Sequence, residues 1–412
     1  MAKIVAIKGM SDLLPPQSEG WNRVERFARR LFRTFGFQEV RTPVVEPTEL
    51  FVRSVGESSS IVEKEMYTFS DRKGVSLTLR PEGTAAVVRA YLEAGLHAQD
   101  KIAKLCYCGP MFRYEQPQKG RSRQFYQIGA ELIGADSALA DAEILLMLHA
   151  FFEKLGIGDI RLEINSLGCL ECRPNYLKKI TQFLSDKSSK LCEDCQKRIK
   201  KNPLRALDCK KESCQKLTAN APLISDFWCE ACHKHYREML GLLLVGGVRY
   251  QENPRIVRGL DYYCRTAFEV LCDRLGAQNA VAAGGRYDGL VKDLGGPPVP
   301  GIGFAIGMER LMLLEPKIAA AAPEKLIFFA LLGDEASRKA IPTIQELRNK
   351  DVWVEIAYGG SLKSQMRRAD KLKADKVVIL GDEEIAKGIA ILKDMTTGEQ
   401  KEIFLDRLID QV

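Results

Sequence analysis

Apolar residues recur at helical spacing from Ser18 to Phe35, with Trp21, Val24, Phe27, Leu31, Phe32 and Phe35 on one stripe and Gly36 as a stop. A short strand is expected at 37–41, halted by Pro43. Over 101–134 the pattern changes to alternation, which predicts three strands. Met111, Arg113 and Glu115 share one face, and Phe112 and Tyr114 the other. In the next strand Phe125, Gln127, Gly129 and Glu131 point one way, and Tyr126, Ile128, Ala130 and Leu132 the other. A sheet buried on one face carries solvated charge opposite. Here the second face instead combines an arginine, glutamates, a glutamine and an aromatic ring, the lining of a polar cleft.

The remaining pattern divides the chain. A helix is predicted over 138–155, with Ile144, Leu145, Leu148, Phe151, Phe152 and Leu155 inward, followed by a strand through Ile160, Leu162 and Ile164. The cysteine- and lysine-rich stretch 169–236 has little core periodicity and reads as an inserted module. Strand-like runs return at 263–271 and 301–306, the second leading into a helix over 308–314. Alanines and two prolines make 315–324 the best linker. Beyond it, apolar strands at 326–331, 352–357 and 377–380 alternate with helical segments, as in a small α/β domain. The expected plan is a first domain over 1–315 with the insertion at about 169–236, a linker at 316–324, and a second domain over 325–412.

Composition narrows the class. A chain of 412 residues, 46% hydrophobic and 28% charged, is too long for one ordinary core and has the balance of a globular protein. The first ten residues lack an apolar signal-peptide region, and no stretch approaches the roughly 18 apolar residues of a membrane span. A cytoplasmic protein without a membrane partner is therefore expected. The net charge of +7 is compatible with a nucleic-acid partner but does not establish one. None of the four histidines sits in a Ser/His/Asp-like setting, and neither a P-loop nor HExxH is present. Gly301, Gly303 and Gly307 approach a dinucleotide fingerprint, but Ile306 occupies the third glycine position and no βαβ unit precedes it.

Twelve cysteines in such a chain point to metal or buried thiols rather than disulfides. Cys169-x2-Cys172 and Cys192-x2-Cys195 have the spacing of one zinc site, and Cys209, Cys214, Cys229 and Cys232 supply a second quartet. Four thiolates leave no open position for substrate, so the expected zinc is structural. The chemistry of the polar cleft is expected to survive its loss better than the insertion's fold does. The competing reading is reduced thiols in a helical insertion. Cys106, Cys108, Cys264 and Cys272 lie among apolar neighbours and read as core.

Seven signatures follow one another: LRPEGT at 79–84, FRYE at 112–115, RSRQFYQ at 121–127, RGLDYY at 258–263, GGRYDGL at 284–290, GIGFAIGMERL at 301–311 and SLKSQMRRADK at 361–371. Over essentially the whole chain they resemble the histidyl-tRNA synthetases, a class II aminoacyl-tRNA synthetase family. The resemblance implies an α+β catalytic domain, an antiparallel sheet with flanking helices, and a C-terminal α/β anticodon-binding domain. It implies activation of L-histidine by ATP with Mg2+ and transfer to histidine tRNA. It also implies a homodimer whose interface includes the first long helix and residues 37–49. Many members lack the cysteines, so zinc rests on spacing alone.

The resemblance also assigns roles. Arg113 and Arg258 would hold the α-phosphate as the catalytic arginines and border the histidine site. Phe125 and Arg310 would sandwich the adenine, with Glu115 and Arg121 on the nucleotide. Glu82, Gly83 and Thr84, with Gln127, meet the amino-acid end; Glu131 and Tyr263 read the ring, and Tyr262 and Tyr287 close the pocket. Gln118 and Arg123 face the tRNA acceptor end, although Gln116 stands where many members carry arginine. Lys363, Arg367, Arg368 and Lys371 form a basic face suited to RNA. Each has a plainer alternative: an Arg113–Glu115 ion pair, a turn salt bridge at Arg258, core packing for Phe125, a solvated tail helix.

The rival is a histidine-binding, non-catalytic paralogue, the regulatory subunit of ATP phosphoribosyltransferase, which usually lacks an intact RGLDYY and the anticodon domain. A zinc-dependent nucleic-acid-binding module without catalysis would leave the polar strand faces unexplained.

Overall fold

The computed structural model describes residues 3–411 except 57–58, 208, 210, 258 and 315–324. The expected linker and Arg258 therefore lie outside the described residues. The chain divides into two compact units, Met1–Ala320 and Ala321–Val412.

In the first unit, β1 (Gln38–Glu39) is followed by β2 (Val45–Pro47), β3 (Tyr67–Ser70) and β4 (Ser76–Leu79), the last three forming a small antiparallel sheet. Then come β5 (Ala103–Phe112), β6 (Gln124–Ile133), β7 (Arg161–Ser166), β8 (Gln251–Glu252), β9 (Cys264–Leu271), β10 (Ala280–Arg286) and β11 (Gly301–Gly307). These join β1 in an eight-stranded sheet of order β1-β5-β6-β11-β10-β9-β7-β8. Its interior is antiparallel; only the edge pairs β1–β5 and β7–β8 run parallel.

The sheet's two faces differ as the alternation requires. Ile128, Ala130 and Leu132 of β6 and Ile302, Phe304 and Ile306 of β11 enter one apolar core. Helices Gln17–Thr34, Ala138–Lys154 and Glu230–Val245 close it through Trp21, Val24, Phe32, Leu148, Phe151, Met239 and Leu243. A buried ion pair joins these elements. Arg286 Nε donates to Asp141 Oδ1 (3.0 Å), and His235 Nε2 lies 2.8 Å from Asp141 Oδ2. The opposite face is left for the site.

Two expectations need correction here. Residues 101–134 form two strands, β5 and β6, rather than three. Arg113 and Glu115 lie beyond β5, in a connection turned by the Gln118–Arg121 bridge and Gly120, whose φ is +72°. The insertion is also less core-poor than its polar sequence implied. Tyr176, Ile180 and Leu184 stripe one face of helix Arg173–Ser185 at four-residue spacing, and with Leu191, Ile199 and Ile224 from shorter pieces they form a cluster of their own.

In the second unit, β12 (Leu326–Leu331), β13 (Trp353–Ile356), β14 (Lys376–Leu380), β15 (Ile389–Asp394) and β16 (Gln400–Phe404) form a sheet of order β13-β12-β14-β15-β16. Every residue of β12 is buried, because helix Asp334–Asn349 covers one face and helix Leu362–Lys371 the other. That two-sided burial explains the continuous apolar run. The antiparallel β15–β16 hairpin is absent from the expected pattern; β16 is mostly exposed and carries little apolar signal.

Candidate functional site

Helix Thr84–Glu93 starts against the polar face of the sheet, and a carboxylate fixes that start. Glu82 accepts from the backbone N–H groups of Thr84 (2.7 Å) and Ala85 (2.8 Å). Two amides that a helix start leaves unpaired are thereby satisfied. Burial raises the Glu82 pKa, opposed by these amides and by Arg113.

Behind Glu82 runs a second chain of contacts. Thr84 Oγ1 donates to Glu131 Oε1 (2.7 Å), and Tyr287 Oη donates to Glu131 Oε2 (2.6 Å). Burial pushes the Glu131 carboxyl up to about 8. A Cβ on Gly303 would stand 1.8 Å from Glu131 Oε2, so that glycine exists to let the carboxylate lie across β11. Of the glycines that mimic a dinucleotide motif, Gly303 thus has a packing reason, as does Gly301, where a Cβ would meet the Tyr287 ring at 2.3 Å.

A cavity opens over this floor. At one end it is lined by Glu82, Thr84, Tyr107, Gln127, Tyr262 and Tyr263. At the other it is lined by Arg113, Glu115, Arg121, Phe125, Glu309 and Arg310. Gln127 Oε1 is buried without a hydrogen-bond partner. The Tyr107 hydroxyl, close to Thr84 and Glu131, meets neither in hydrogen-bonding geometry. An unpaired buried polar group costs on the order of 1–3 kcal/mol, which a polar ligand would recover.

The far end is cationic. Arg113 Nε donates to the Pro81 carbonyl (2.9 Å), and its guanidinium lies 5.2 Å from the Phe125 ring centroid. Glu115 pairs with Arg121 (2.7 Å) rather than with Arg113, which removes the plain ion-pair reading of Arg113. Arg310 donates to the carbonyls of Gly120 (3.2 Å) and Ala280 (2.6 Å). Burial lowers the pKa of all three arginines, and in Arg310 repulsion from Arg121 and Arg113 adds to it. Glu309 accepts from the Tyr126 N–H (3.0 Å), and burial pushes its carboxyl up to about 7. Three desolvated guanidiniums crowd this end, and a bound anion relieves their repulsion.

Not every expected residue reaches the wall. Glu131 and Tyr287 do not line the cavity, because Tyr107 lies in front of them. Its ring covers Gly129, where a Cβ would meet it at 2.3 Å, and Gly83 equally closely. Gly83 therefore lies beneath a ring and is not among the residues that line the cavity. Strand alternation gives the direction of Glu131 but not its depth. Arg123 donates to the Glu115 carbonyl (3.1 Å) and lies 4.0 Å from the Tyr114 ring centroid, off the cavity. Gln118 lines an adjoining shallow pocket with Lys64, Gln116 and Arg121. Sequence reasoning misses Tyr107 and Glu309. Tyr107 can be found by following the Met111 face two steps of the alternation back, and Glu309 by its place beside Arg310.

The cysteines group differently from their chain order. Cys169 and Cys172 meet Cys229 and Cys232, while Cys192 and Cys195 meet Cys209 and Cys214. Spacing in sequence shows which residues pair locally, but not which pairs the fold brings together. All twelve thiols are free. The Sγ atoms of Cys169 and Cys172 stand 3.6 Å apart, Cys169 and Cys229 3.9 Å, Cys172 and Cys232 3.8 Å, and Cys192 and Cys209 3.9 Å. Thiolates about 2.3 Å from one tetrahedral zinc stand about 3.8 Å from one another. His233 and His235 take no part in either quartet: one packs on Trp228, the other pairs with Asp141.

In the second unit, Ser361 caps helix Leu362–Lys371, which buries Gln365 and Ala369 and exposes Lys363, Arg367, Arg368 and Lys371.

Comparison with known proteins agrees with this layout. Residues 9–311 match the family described as histidyl-tRNA synthetase, and residues 327–412 the family described as anticodon binding domain. A histidine–tRNA ligase of Pelobacter propionicus is 55% identical, covering 98% of this chain and 97% of its own. One from Syntrophotalea carbinolica is 53% identical, with 98% and 96% covered. The apo histidyl-tRNA synthetase of S. aureus superposes with a TM-score of 0.83 at 36% identity, over 99% of each chain.

Proposed function

We propose, from the premise that this chain belongs to the histidyl-tRNA synthetase family, that the cavity beneath helix Thr84–Glu93 joins histidine to ATP and passes the product to histidine tRNA. The activity is that of a histidine–tRNA ligase, an aminoacyl-tRNA synthetase. The observation that carries the siting is the pairing of a tyrosine-walled pocket with three desolvated arginines in one cavity.

The histidine carboxylate attacks the α-phosphorus of ATP, and pyrophosphate leaves. Arg113, with Arg258 as its expected partner, stabilises charge on the phosphoryl oxygens; Arg121 and Arg310 serve the remaining phosphates and the adenine, which rests on Phe125. Glu82 and Gln127 receive the ammonium group of histidine, Gln127 through its unpaired oxygen. Tyr263 and Glu131 read the imidazole nitrogens, Tyr262 and Tyr287 completing the enclosure. Glu131 becomes available when the Tyr107 ring that screens it moves aside and the Thr84 hydroxyl turns away. The terminal ribose hydroxyl of tRNA then attacks the adenylate carbonyl and releases AMP. Glu115 and Glu309, the carboxylates lining this end of the cavity, would hold a magnesium ion carried by the nucleotide, and the ion would supply positive charge beside the phosphates.

Gln118 and Arg123 approach the acceptor end, and Lys363, Arg367, Arg368 and Lys371 the anticodon end. The domain boundaries are read as 1–315, 316–324 and 325–412. A homodimer is supported by the edge strand β1 and by exposed Val44 and Val45. No helix among the described residues is long and apolar enough to cross a membrane, and the free thiols fit the reducing cytoplasm. Each cysteine quartet fits one structural zinc. The non-catalytic paralogue is not favoured, since the C-terminal match and the named relatives point to the ligase.

ATP–pyrophosphate exchange run with each of the twenty amino acids tests the activity. Exchange with histidine alone is expected; comparable exchange with glutamine, or with no amino acid, refutes it.

A further inference from the structure

The loop 259–263 carries Tyr262 and Tyr263 into the cavity, and it is gripped from two sides. On one side the Asp261 N–H donates to the Val55 carbonyl (3.3 Å). The Asp261 side chain fills the space over Gly56, where a Cβ would stand 2.2 Å from Oδ2. On the other side the insertion supplies the donors. Arg205 Nη2 donates to the Gly259 carbonyl (3.0 Å) and to Asp261 Oδ1 (2.9 Å), and Asn202 Nδ2 donates to that same oxygen (2.9 Å).

Asn202 and Arg205 lie in the segment between Cys195 and Cys209, two ligands of the second quartet. The helices that carry this segment have nine and four residues. Helices that short do not hold themselves, so their geometry depends on what they are clipped to. The clip is the thiolate quartet, whose Cys195, Cys209 and Cys214 are buried in the insertion's small core.

We infer that a zinc ion at Cys192, Cys195, Cys209 and Cys214 positions the histidine-pocket loop through Asn202 and Arg205, making these two positioning residues for histidine activation. This rests on the zinc reading above and replaces the expectation that activation is largely indifferent to the insertion's metal. The first quartet bears on the same loop from a different point: Arg173, next to Cys172, donates to the Tyr263 carbonyl.

The test uses the full chain, purified without chelator, with metal content and pyrophosphate exchange measured on each sample. The parent should hold two zinc ions, one per quartet. Cys192→Ser with Cys195→Ser should leave one, and lower kcat/KM for histidine about 10- to 100-fold, the scale of a misplaced binding group. The Asn202→Ala, Arg205→Ala variant should keep both ions and its melting profile yet show a loss of the same order, with KM for ATP unmoved. Arg205→Lys should restore part of it. That variant carries the test even where the cysteine variant misfolds. Should it hold two zinc ions and activate histidine within about two-fold of the parent, the positioning role is overturned while the zinc reading stands. A parent that activates histidine but contains no zinc, or iron in its place, removes the zinc reading and this inference together.

Discussion

The cavity and the cysteine-rich insertion both gather residues from distant parts of the chain, but they do so on different supports. The cavity floor is built on neighbouring strands whose register is locked: Tyr107 faces Gly129 across β5–β6, and Gly303 faces Glu131 across β6–β11. Side chains there are placed by the sheet and need nothing bound to hold them. The insertion's helices between Cys192 and Cys214 are short; one quartet joins its start to its end, and the other gathers four cysteines of its middle. Rigid elements thus carry the polar chemistry, while the segment between Cys195 and Cys209 supplies a brace.

Breaking the joint between the two regions should have the largest effect. Asp141 holds Arg286 of β10 and His235 of the insertion's return helix, and both Asp141 and the Arg286 side chain are fully buried. Asp141→Ala leaves the buried Arg286 guanidinium with Asp288 as its remaining carboxylate, strips His235 of its partner, and should cost about 3–5 kcal/mol by denaturant unfolding. A loss below about 1 kcal/mol would mean that the two regions are not joined there.

Within the cavity, Arg113→Ala should lower pyrophosphate exchange on the order of 10²–10³-fold, as for the loss of one preorganised charged donor, with histidine affinity little changed. Activity within a few-fold of the parent would return Arg113 to a structural part.

A subtler test concerns Glu131, whose folded pKa near 8 lies above the ordinary glutamate value of 4.5 because of burial. The folded state then holds a proton that the unfolded state releases between these values. Stability from this group is present below about pH 4.5 and is lost as pH rises toward 8. Glu131→Gln should flatten that decline in the unfolding midpoint; an unchanged slope would show that another group sets it.

The smallest effect belongs to the tail. Lys363→Ala or Arg367→Ala should leave exchange untouched, weaken tRNA binding modestly, and reduce its salt slope by about one for each phosphate no longer neutralised. A salt slope equal to the parent's would make this helix face merely solvated.

These contrasts also explain what the sequence could reveal. Alternation located the polar face through Phe125, Gln127 and Glu131, because a sheet makes direction a matter of counting. Depth was not legible: that Tyr107 screens Glu131 depends on the absence of a side chain at Gly129 and Gly83, a packing fact without period. Nor was the partnership of Cys169 with Cys229 legible, since sequence spacing reports local pairs and the closing contact spans the whole insertion. The hold of Asn202 and Arg205 on Asp261 has no motif at all. The C-terminal β12 was plain for the opposite reason, its burial on both faces leaving an unbroken apolar run.

The most direct test of the cavity's assignment is a crystal structure of the protein with histidine and ATP bound. The α-phosphate should lie against Arg113 and the adenine between Phe125 and Arg310. The ammonium group should rest on Gln127 Oε1, and the imidazole between Tyr263 and a Glu131 uncovered by Tyr107 and released by Thr84. Nucleotide bound outside this cavity, or an imidazole placed elsewhere with the Thr84–Glu131–Tyr287 chain intact, would contradict it.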